Sequence, residues 1–216
     1  MTYPNVPPRS AAAPILLALL TTFAISTARA QAPRRFTDVE RARLEAGELL
    51  RRETPHSSSA PSTFGGVSFI RVRVPIERVW RAVRNIDLFP RLIPSLERAT
   101  VIGSEPTSDG RTVTVVRFFH RAALATSLYH VRMQFDDAAR TISFALDPTR
   151  PRDVAGGSGY MTLSAYGDGT LVSWGMTADA GNGAVAQLFG PFLNDWLLKP
   201  PLCLRDELEP GRVNEC

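Results

Sequence analysis

Short segments that alternate between apolar and polar residues follow one another from about residue 97 to residue 177. A period of two is typical of a β-strand with one buried face, and turn signals such as Asp109-Gly110 separate the segments. Short connections favour consecutive antiparallel hairpins, whose sheet has an apolar face to cover. The pattern predicts strands over residues 98–103, 112–121, 127–136, 140–147, 158–166 and 170–177.

The region before this run predicts one strand followed by a pair of short helices. Residues 69–74 alternate in the same way, and Pro75 suits the first turn of a helix because that position needs no backbone N–H. Pro90 and Pro94 indicate a bent loop or a short second helix over residues 88–95. The helix after Pro75 carries an apolar stripe of Ile76, Val79, Trp80 and Val83.

Residues 37–66 contain weaker signals. Thr37 and Glu40 form the T-x-x-E pattern of a capping box, which predicts the start of a helix, and Gly47 suits its end. Residues 48–53 are a candidate for a first, exposed strand. The turn-rich residues 54–66 predict a loop.

The last apolar run predicts a long C-terminal helix. Pro191 is a candidate kink, and a helix-compatible pattern resumes over residues 202–209 after Pro200-Pro201. One helix seldom fills the concave face of a six- or seven-stranded sheet, so the space between them is either packed by large side chains or left as a pocket. The run steps by three and four through Val185, Leu188, Phe189, Phe192, Leu193, Trp196 and Leu197.

Residues 1–30 have the pattern of a secretory signal peptide. Arg9 precedes an apolar run, and Ala28-Arg29-Ala30 offers the small residues that signal peptidase recognises. We expect cleavage after Ala30 and a secreted or periplasmic protein; the alternative is an uncleaved membrane anchor. The expected mature chain has three parts. Residues 31–65 hold the first helix, the candidate strand and the loop; residues 66–209 form a ligand-binding domain; and residues 210–216 form a tail.

Charge and cysteine content narrow the function classes. Loss of Arg9 and Arg29 with the leader lowers the formal net charge from +4 to +2, which is too near balance to indicate a nucleic-acid partner. The two cysteines, Cys203 and Cys216, could form a disulfide in an oxidising compartment, and the alternative is two unpaired thiols. Their spacing fits no zinc motif.

The strand-to-helix segment resembles the START-like superfamily, also called SRPBCC, with its helix-grip fold. The resemblance extends over about residues 45–209, and the leader peptide departs from it because many relatives are intracellular. Within the superfamily the chain is most similar to the polyketide cyclase/dehydrase and lipid-transport group, which includes coenzyme Q-binding proteins. The segment carrying the resemblance is V-x-V-P-x-E-x-V-W with the linker behind it: Val72, Val74, Pro75, Glu77, Val79, Trp80, Asp87, Phe89, Pro90 and Pro94.

The resemblance implies an α+β fold in which a curved antiparallel sheet of six to seven strands wraps around a long C-terminal helix. A short helix pair would follow an early strand, and a cavity would lie between the sheet and the long helix. The resemblance implies no particular reaction, because this fold hosts carriers, cyclases and regulatory proteins alike.

Chemically active residue types form no known catalytic or metal-binding motif, so we assign no catalytic residue, metal ligand or cofactor. His120 and His130 are each either a pocket acid or base or a structural histidine, and His56 lies in the Ser-rich loop. Asp136-Asp137 predicts a hairpin turn. The glycines of residues 156–159 precede a strand, so they lack the helix N-terminus that phosphate binding uses.

Apolar residues on alternating strand positions and on the C-terminal helix outline a candidate ligand pocket. Small-molecule sites are mostly apolar with a few placed polar groups, although such stripes also suit a plain core. The candidate ligand-binding residues are Val116, Phe118, His120, Tyr129, Val131, Met133, Phe144, Trp174, Met176, Phe189, Phe192 and Trp196.

Our leading hypothesis is an exported binding or carrier protein for a lipid, isoprenoid or polyketide-like molecule, held by burial of its apolar surface. Transient contact with a membrane would suit such a carrier, and the sequence carries no signal for oligomeric state. One alternative is a cyclase- or dehydratase-type enzyme that uses His120, His130 or Tyr129 as general acid or base in the same pocket. A second alternative is a protein-interaction module with a filled core.

Overall fold

The structure is a computed structural model, and all the residues that it describes lie within the unit Phe36–Cys216. The leader expected over residues 1–30, His56, Phe189 and Phe192 lie outside the described residues. No helix among the described residues has both the length and the apolar character needed to cross a membrane. The described residues are 36–53, 63–107, 111–122, 125–179, 193–209, 211 and 216.

Eight strands form one antiparallel sheet in the order β1-β2-β8-β7-β6-β5-β4-β3. Six to seven strands were expected; the count is eight because the candidate first strand forms as the four-residue β1, an edge strand that pairs with β2 alone. The consecutive strands β3 to β8 pair in sequence order, as the short connections predicted. The strands are β1 (Leu50–Glu53), β2 (Thr63–Val72), β3 (Leu96–Pro106), β4 (Thr112–Ala122), β5 (Ala125–Asp136), β6 (Thr141–Leu146), β7 (Gly156–Tyr166) and β8 (Gly169–Asp179).

Strand β2 begins at Thr63, whereas the sequence predicts a loop up to residue 66 and a strand from residue 69. Gly65 and Gly66 lie inside the strand at φ values of +135° and +152°. A Cβ atom on Gly65 would lie 2.0 Å from the Met176 carbonyl oxygen, and one on Gly66 would lie 2.3 Å from that of Arg52. These glycines therefore allow the backbones of β1 and β8 to approach β2 closely.

Helix α1 (Asp38–Ala46) begins at the capping box of Thr37 and Glu40 and ends at Gly47, as the sequence predicted. It packs on the outer face of the sheet, where Leu44 lies in a small apolar cluster with Leu50, Phe69 and Leu171. The outer face is therefore covered by a helix at the β1–β2–β8 end of the sheet.

The predicted helix pair lies on the inner face. Helix α2 (Ile76–Arg84) follows Pro75, and a 3-10 turn (Ile86–Leu88) leads into the short α3 (Phe89–Leu92). The apolar stripe of α2 is buried apart from Ile76, and Trp80 is 4% exposed. Its indole N–H donates to Asp137 at 2.8 Å, in the turn between β5 and β6.

Two helical segments follow β8 at the C-terminal end. Residues 193–198, here called α4, and α5 (Pro200–Leu208) are separated by Lys199. Asn194 ties α4 to the sheet because its side-chain oxygen accepts the Gly65 N–H at 2.7 Å and its amide donates to Glu53 at 3.0 Å. Cys203 of α5 is disulfide-bonded to Cys216.

The main core lies between the inner face of the sheet and the helices α2, α3 and α5. Alternate strand residues reach it, including Ile70, Val116, Phe118, Val131 and Val172. The fold is thus α+β with a curved antiparallel sheet, and one face of that sheet is closed by helices from both ends of the domain.

Candidate ligand cavity

A cavity of about 100 Å³ lies between the inner face of the sheet and the helices that cover it. Strands β4 to β8 supply one wall, and α2, α3, α4 and α5 supply the other. The side chains that line it are apolar or aromatic, with the Tyr129 hydroxyl at the polar end. They are Val83, Phe89, Leu92, Ile93, Phe118, Tyr129, Val131, Met133, Ile142, Phe144, Met161, Trp174, Met176, Trp196, Leu197, Pro200 and Leu204.

The structure brings together most of the strand residues that the sequence singled out. Val116 is instead fully buried in the core without lining the cavity, and His120 lies behind Tyr129 and Trp196. Phe189 and Phe192 fall outside the described residues. The candidate residues that line the cavity are Phe118, Tyr129, Val131, Met133, Phe144, Trp174, Met176 and Trp196.

The helical wall contains most of the lining residues that sequence reasoning missed. Phe89 and Leu92 lie on the four-residue α3, which is too short to show a helical period. Leu204 lies on α5, where the sequence pattern predicted a helix but no inward face. Val83 was recognisable, because it belongs to the apolar stripe of α2.

An aromatic stack forms one wall of the cavity. The rings of Phe144 and Trp174 lie 4.8 Å apart between centroids at an interplanar angle of 27°. A Cβ atom on Gly159 would lie 2.5 Å from the Phe144 ring, so this glycine provides the space that the ring occupies. The Trp174 indole N–H donates to the Leu197 carbonyl at 2.8 Å and joins this wall to α4.

A hydrogen-bonded pair marks the polar end. The Tyr129 hydroxyl lies 2.7 Å from Nε2 of His120, and the two rings stack with centroids 5.4 Å apart. The rings of His120 and Trp196 pack edge to face, with their centroids 5.2 Å apart. His120 is 4% exposed, so solvent has almost no access to its ring.

Burial sets the protonation of this pair. It lowers the pKa of His120 to about 4, and the nearby Pro94 carbonyl opposes this shift only in part. Burial also raises the pKa of the Tyr129 hydroxyl above its ordinary value. Both groups are therefore neutral near pH 7, where each can donate or accept a hydrogen bond but carries no charge.

His130 lies on the other side of the sheet, which corrects the expectation that it could act as an acid or base in the pocket. Adjacent strand residues point to opposite faces, and Tyr129 already faces the cavity. His130 is buried beneath the loop after β6, where its Nδ1 lies 3.1 Å from the Pro151 carbonyl oxygen.

The other chemically active positions have structural roles. Asp136 accepts a hydrogen bond from the Ala139 N–H at 2.9 Å, and Asp137 accepts from Trp80 and Arg84, so both aspartates hold the predicted turn. The glycines of residues 156–159 lie in β7. In the part of the chain that the structure describes, no cluster of three His, Cys, Asp or Glu residues is arranged to hold a metal ion.

Solved structures share this architecture at low sequence identity. A protein from Thermus thermophilus is 18% identical, with a TM-score of 0.54, and the match covers 66% of this chain and 92% of that one. A STAR-related lipid transfer protein from Xanthomonas axonopodis is 13% identical, with a TM-score of 0.56 and coverage of 73% and 98%. A START superfamily protein from Mycobacterium smegmatis is 15% identical, with a TM-score of 0.51 and coverage of 67% and 96%. These likenesses show a common fold.

The sequence itself identifies the family. Among curated proteins no match was found. Residues 67–199 match the family described as polyketide cyclase / dehydrase and lipid transport, and this range spans more than half of the chain, from β2 to the end of α4. The cavity between sheet and helices lies within that range apart from Pro200 and Leu204. The chain therefore belongs to the polyketide cyclase / dehydrase and lipid transport family.

Proposed function

We propose that this protein is an exported binding or carrier protein that holds a hydrophobic small molecule in the cavity between the sheet and the C-terminal helices. The observation that carries the proposal is the aromatic and methionine-rich lining, in which Phe118, Phe144 and Trp174 face Phe89 and Trp196. Burial of apolar ligand surface against these side chains would contribute roughly 25 cal/mol per Å² before the costs of binding.

The size of the cavity indicates how the ligand is held. About 100 Å³ is smaller than the sites of roughly 300–1,000 Å³ that enclose drug-sized ligands. It is comparable to the engineered cavity of about 150 Å³ that takes up benzene. Met133, Met161 and Met176 line the space, and methionine changes rotamer readily. We expect the described cavity to hold a ring-sized part of the ligand and to widen when these side chains move.

Two alternatives fit the site less well. A protein-interaction module with a filled core would have no cavity at this position. A cyclase- or dehydratase-type enzyme would need an acid or base near neutral pH, whereas burial lowers the pKa of His120 to about 4 and raises that of Tyr129. A neutral hydrogen-bonding pair is better suited to orienting a ligand than to moving its protons.

Export is supported by two features that are independent of the cavity. The sequence before Gln31 has the charged, apolar and small-residue regions of a signal peptide. Cys203 and Cys216 are bonded, and structural disulfides persist mainly in oxidising compartments such as the periplasm. The proposed carrier would therefore work outside the cytoplasm.

Native mass spectrometry of the protein purified from its own host tests the proposal. We expect an added mass that is lost on denaturation and recovered by extraction into organic solvent. A Val131→Phe variant, which places a larger side chain in the cavity, should carry no such mass. Folded wild-type protein with no added mass, which also fails to take up an apolar probe, would contradict the carrier function.

A further inference from the structure

Three polar side chains lie on one face of β4 and β5, next to the otherwise apolar cavity. His120 on β4 and Ser127 on β5 lie directly opposite each other in the sheet, and Tyr129 follows on the same face. Tyr129 lines the cavity and is bonded to His120. Four side-chain polar atoms among the described residues are buried without a hydrogen-bond partner, and two of them are Nδ1 of His120 and Oγ of Ser127.

Unpaired buried polar atoms are rare because each loses its hydrogen bonds to water on burial. The two in His120 and Ser127 lie at paired cross-strand positions, beside a tyrosine that lines the apolar cavity. A plain core would have apolar side chains at these positions, so this end of the cavity has the chemistry of a site for a polar group.

The surroundings of His120 favour one direction for its hydrogen bond to Tyr129 over the other. A neutral imidazole carries its proton on one nitrogen and accepts at the other. The Pro94 carbonyl lies near the ring and favours a proton there, although its geometry falls short of a hydrogen bond. With Nε2 bonded to Tyr129, that proton belongs on Nδ1, and Nε2 accepts from the Tyr129 hydroxyl.

When the Tyr129 hydroxyl donates to His120, its oxygen can still accept a hydrogen bond through its lone pairs but has no further proton to donate. A group that enters the cavity beside Tyr129 must then donate a hydrogen bond rather than accept one. A ligand hydroxyl meets this requirement, whereas an ether or a hydrocarbon does not.

We propose that the cavity selects a hydrophobic ring compound that carries a hydroxyl group, which donates to the phenolic oxygen of Tyr129 while the ring packs against Phe118 and Trp196. This inference rests on the proposed binding function and adds the chemical class of the ligand. The neutral His120 acts as a positioning residue, since it orients the Tyr129 hydroxyl without touching the ligand.

Three small probes separate shape from hydrogen bonding: p-cresol, p-xylene and 4-methylanisole. p-Xylene has the size of p-cresol with a methyl group in place of the hydroxyl, and 4-methylanisole keeps the oxygen but has no O–H. Water solvates the hydroxyl of p-cresol, so a purely apolar cavity would bind p-xylene more tightly. We expect calorimetry on the wild type to show p-cresol binding at least as tightly as p-xylene, and 4-methylanisole binding more weakly than both.

A matched pair of variants locates the hydrogen bond. Tyr129→Phe should weaken p-cresol binding about tenfold, the effect of one net hydrogen bond, and should change p-xylene binding by less than about twofold. Tyr160→Phe is the control, because Tyr160 packs over Gly175 and does not line the cavity; it should change neither affinity.

The outcomes distinguish the hydroxyl inference from the binding function on which it rests. Preference of the wild type for p-xylene over p-cresol, or equal losses of both in Tyr129→Phe, would overturn the hydroxyl inference and leave the binding function standing. The wild-type comparison decides the matter even if Tyr129→Phe fails to fold. Failure of the wild type to bind any of the three probes would overturn both.

Discussion

The indole nitrogen of Trp174 on β8 donates a 2.8 Å hydrogen bond to the backbone carbonyl of Leu197 in α4. Both residues line the cavity, so the sheet and the C-terminal helix are joined at the wall of the proposed site. The Leu197 carbonyl lies near the end of a helical segment, where carbonyl groups lack intrahelical partners. The indole satisfies one of them and fixes the position of α4 over the sheet.

Replacing Trp174 with Phe tests this link. The substitution keeps an aromatic ring beside Phe144 but removes the donor, which leaves the buried Leu197 carbonyl unsatisfied. We expect the free energy of unfolding to fall by about 1–3 kcal/mol, measured by urea denaturation. Unchanged stability would show that α4 is held by other contacts.

Trp80 provides a second stability test on the opposite wall of the core. Its side chain is buried, packs edge-on against Phe135 and donates to Asp137. Trp80→Ala should reduce the free energy of unfolding by about 3–5 kcal/mol, as large aromatic truncations do. A loss below about 1 kcal/mol would be incompatible with the packing described for α2.

His120 should make stability depend on pH in the weakly acidic range. Its pKa is lowered to about 4 in the fold from 6.5, so the unfolded chain takes up a proton on this ring before the folded protein does. Stability should therefore fall as the pH decreases from about 6.5 to about 4, by about 3 kcal/mol in total. Below pH 4 the ring is protonated in both states and its contribution stays constant.

A His120→Asn variant should lose most of this dependence, because asparagine does not titrate. Asp137 also has a lowered pKa, caused first by its hydrogen bond from Arg84. Its stabilising contribution is lost as the pH falls through the ordinary aspartate pKa of 3.8, at the lower end of this range, and it is the same in both proteins, so the difference between them reports His120. The free energy of unfolding of both proteins, measured at several pH values, tests this account; equal slopes between pH 6.5 and pH 4 would contradict it.

The strand side of the cavity was predictable because alternation assigns each residue to a face. If Val131 and Met133 point into the cavity, Tyr129 must point into it too, and His130 must point to the other face of the sheet. The expectation for His130 was wrong because adjacent strand residues cannot both face the same pocket. The early start of β2 was missed because Gly65 and Gly66 suggest a turn, whereas here they permit close contact between strands.

The helix residues that line the cavity were harder to predict from the sequence. Phe89 and Leu92 belong to a helix of four residues, in which no period can be recognised. The hydrogen bond between Tyr129 and His120 depends on which side chains become neighbours across β4 and β5, so it follows only from the strand register. The unpaired atoms of His120 and Ser127 likewise appear only once the packing is known.

Export predicts a defined mature N-terminus. Ala28 and Ala30 fit the small-residue positions that signal peptidase recognises, so the proposed export predicts that N-terminal sequencing of the protein from the periplasm or medium begins at Gln31. Alkylation without a reductant should leave Cys203 and Cys216 unmodified in that fraction. Recovery of intact protein from Met1 in the cytoplasm would contradict export.

The same substitution at two valines that neighbour each other on adjacent strands tests most directly whether the core contains a ligand cavity. Val116 and Val131 are cross-strand neighbours on the inner face; Val131 lines the cavity, whereas Val116 is buried in packed core. Val131→Phe should fill the cavity and weaken p-xylene binding at least tenfold, while the free energy of unfolding changes by less than about 1 kcal/mol. Val116→Phe should overpack the core and lower the free energy of unfolding by about 1–3 kcal/mol. Equal stability losses in the two variants, with p-xylene binding unchanged in Val131→Phe, would contradict the account of this protein as a carrier of hydrophobic molecules.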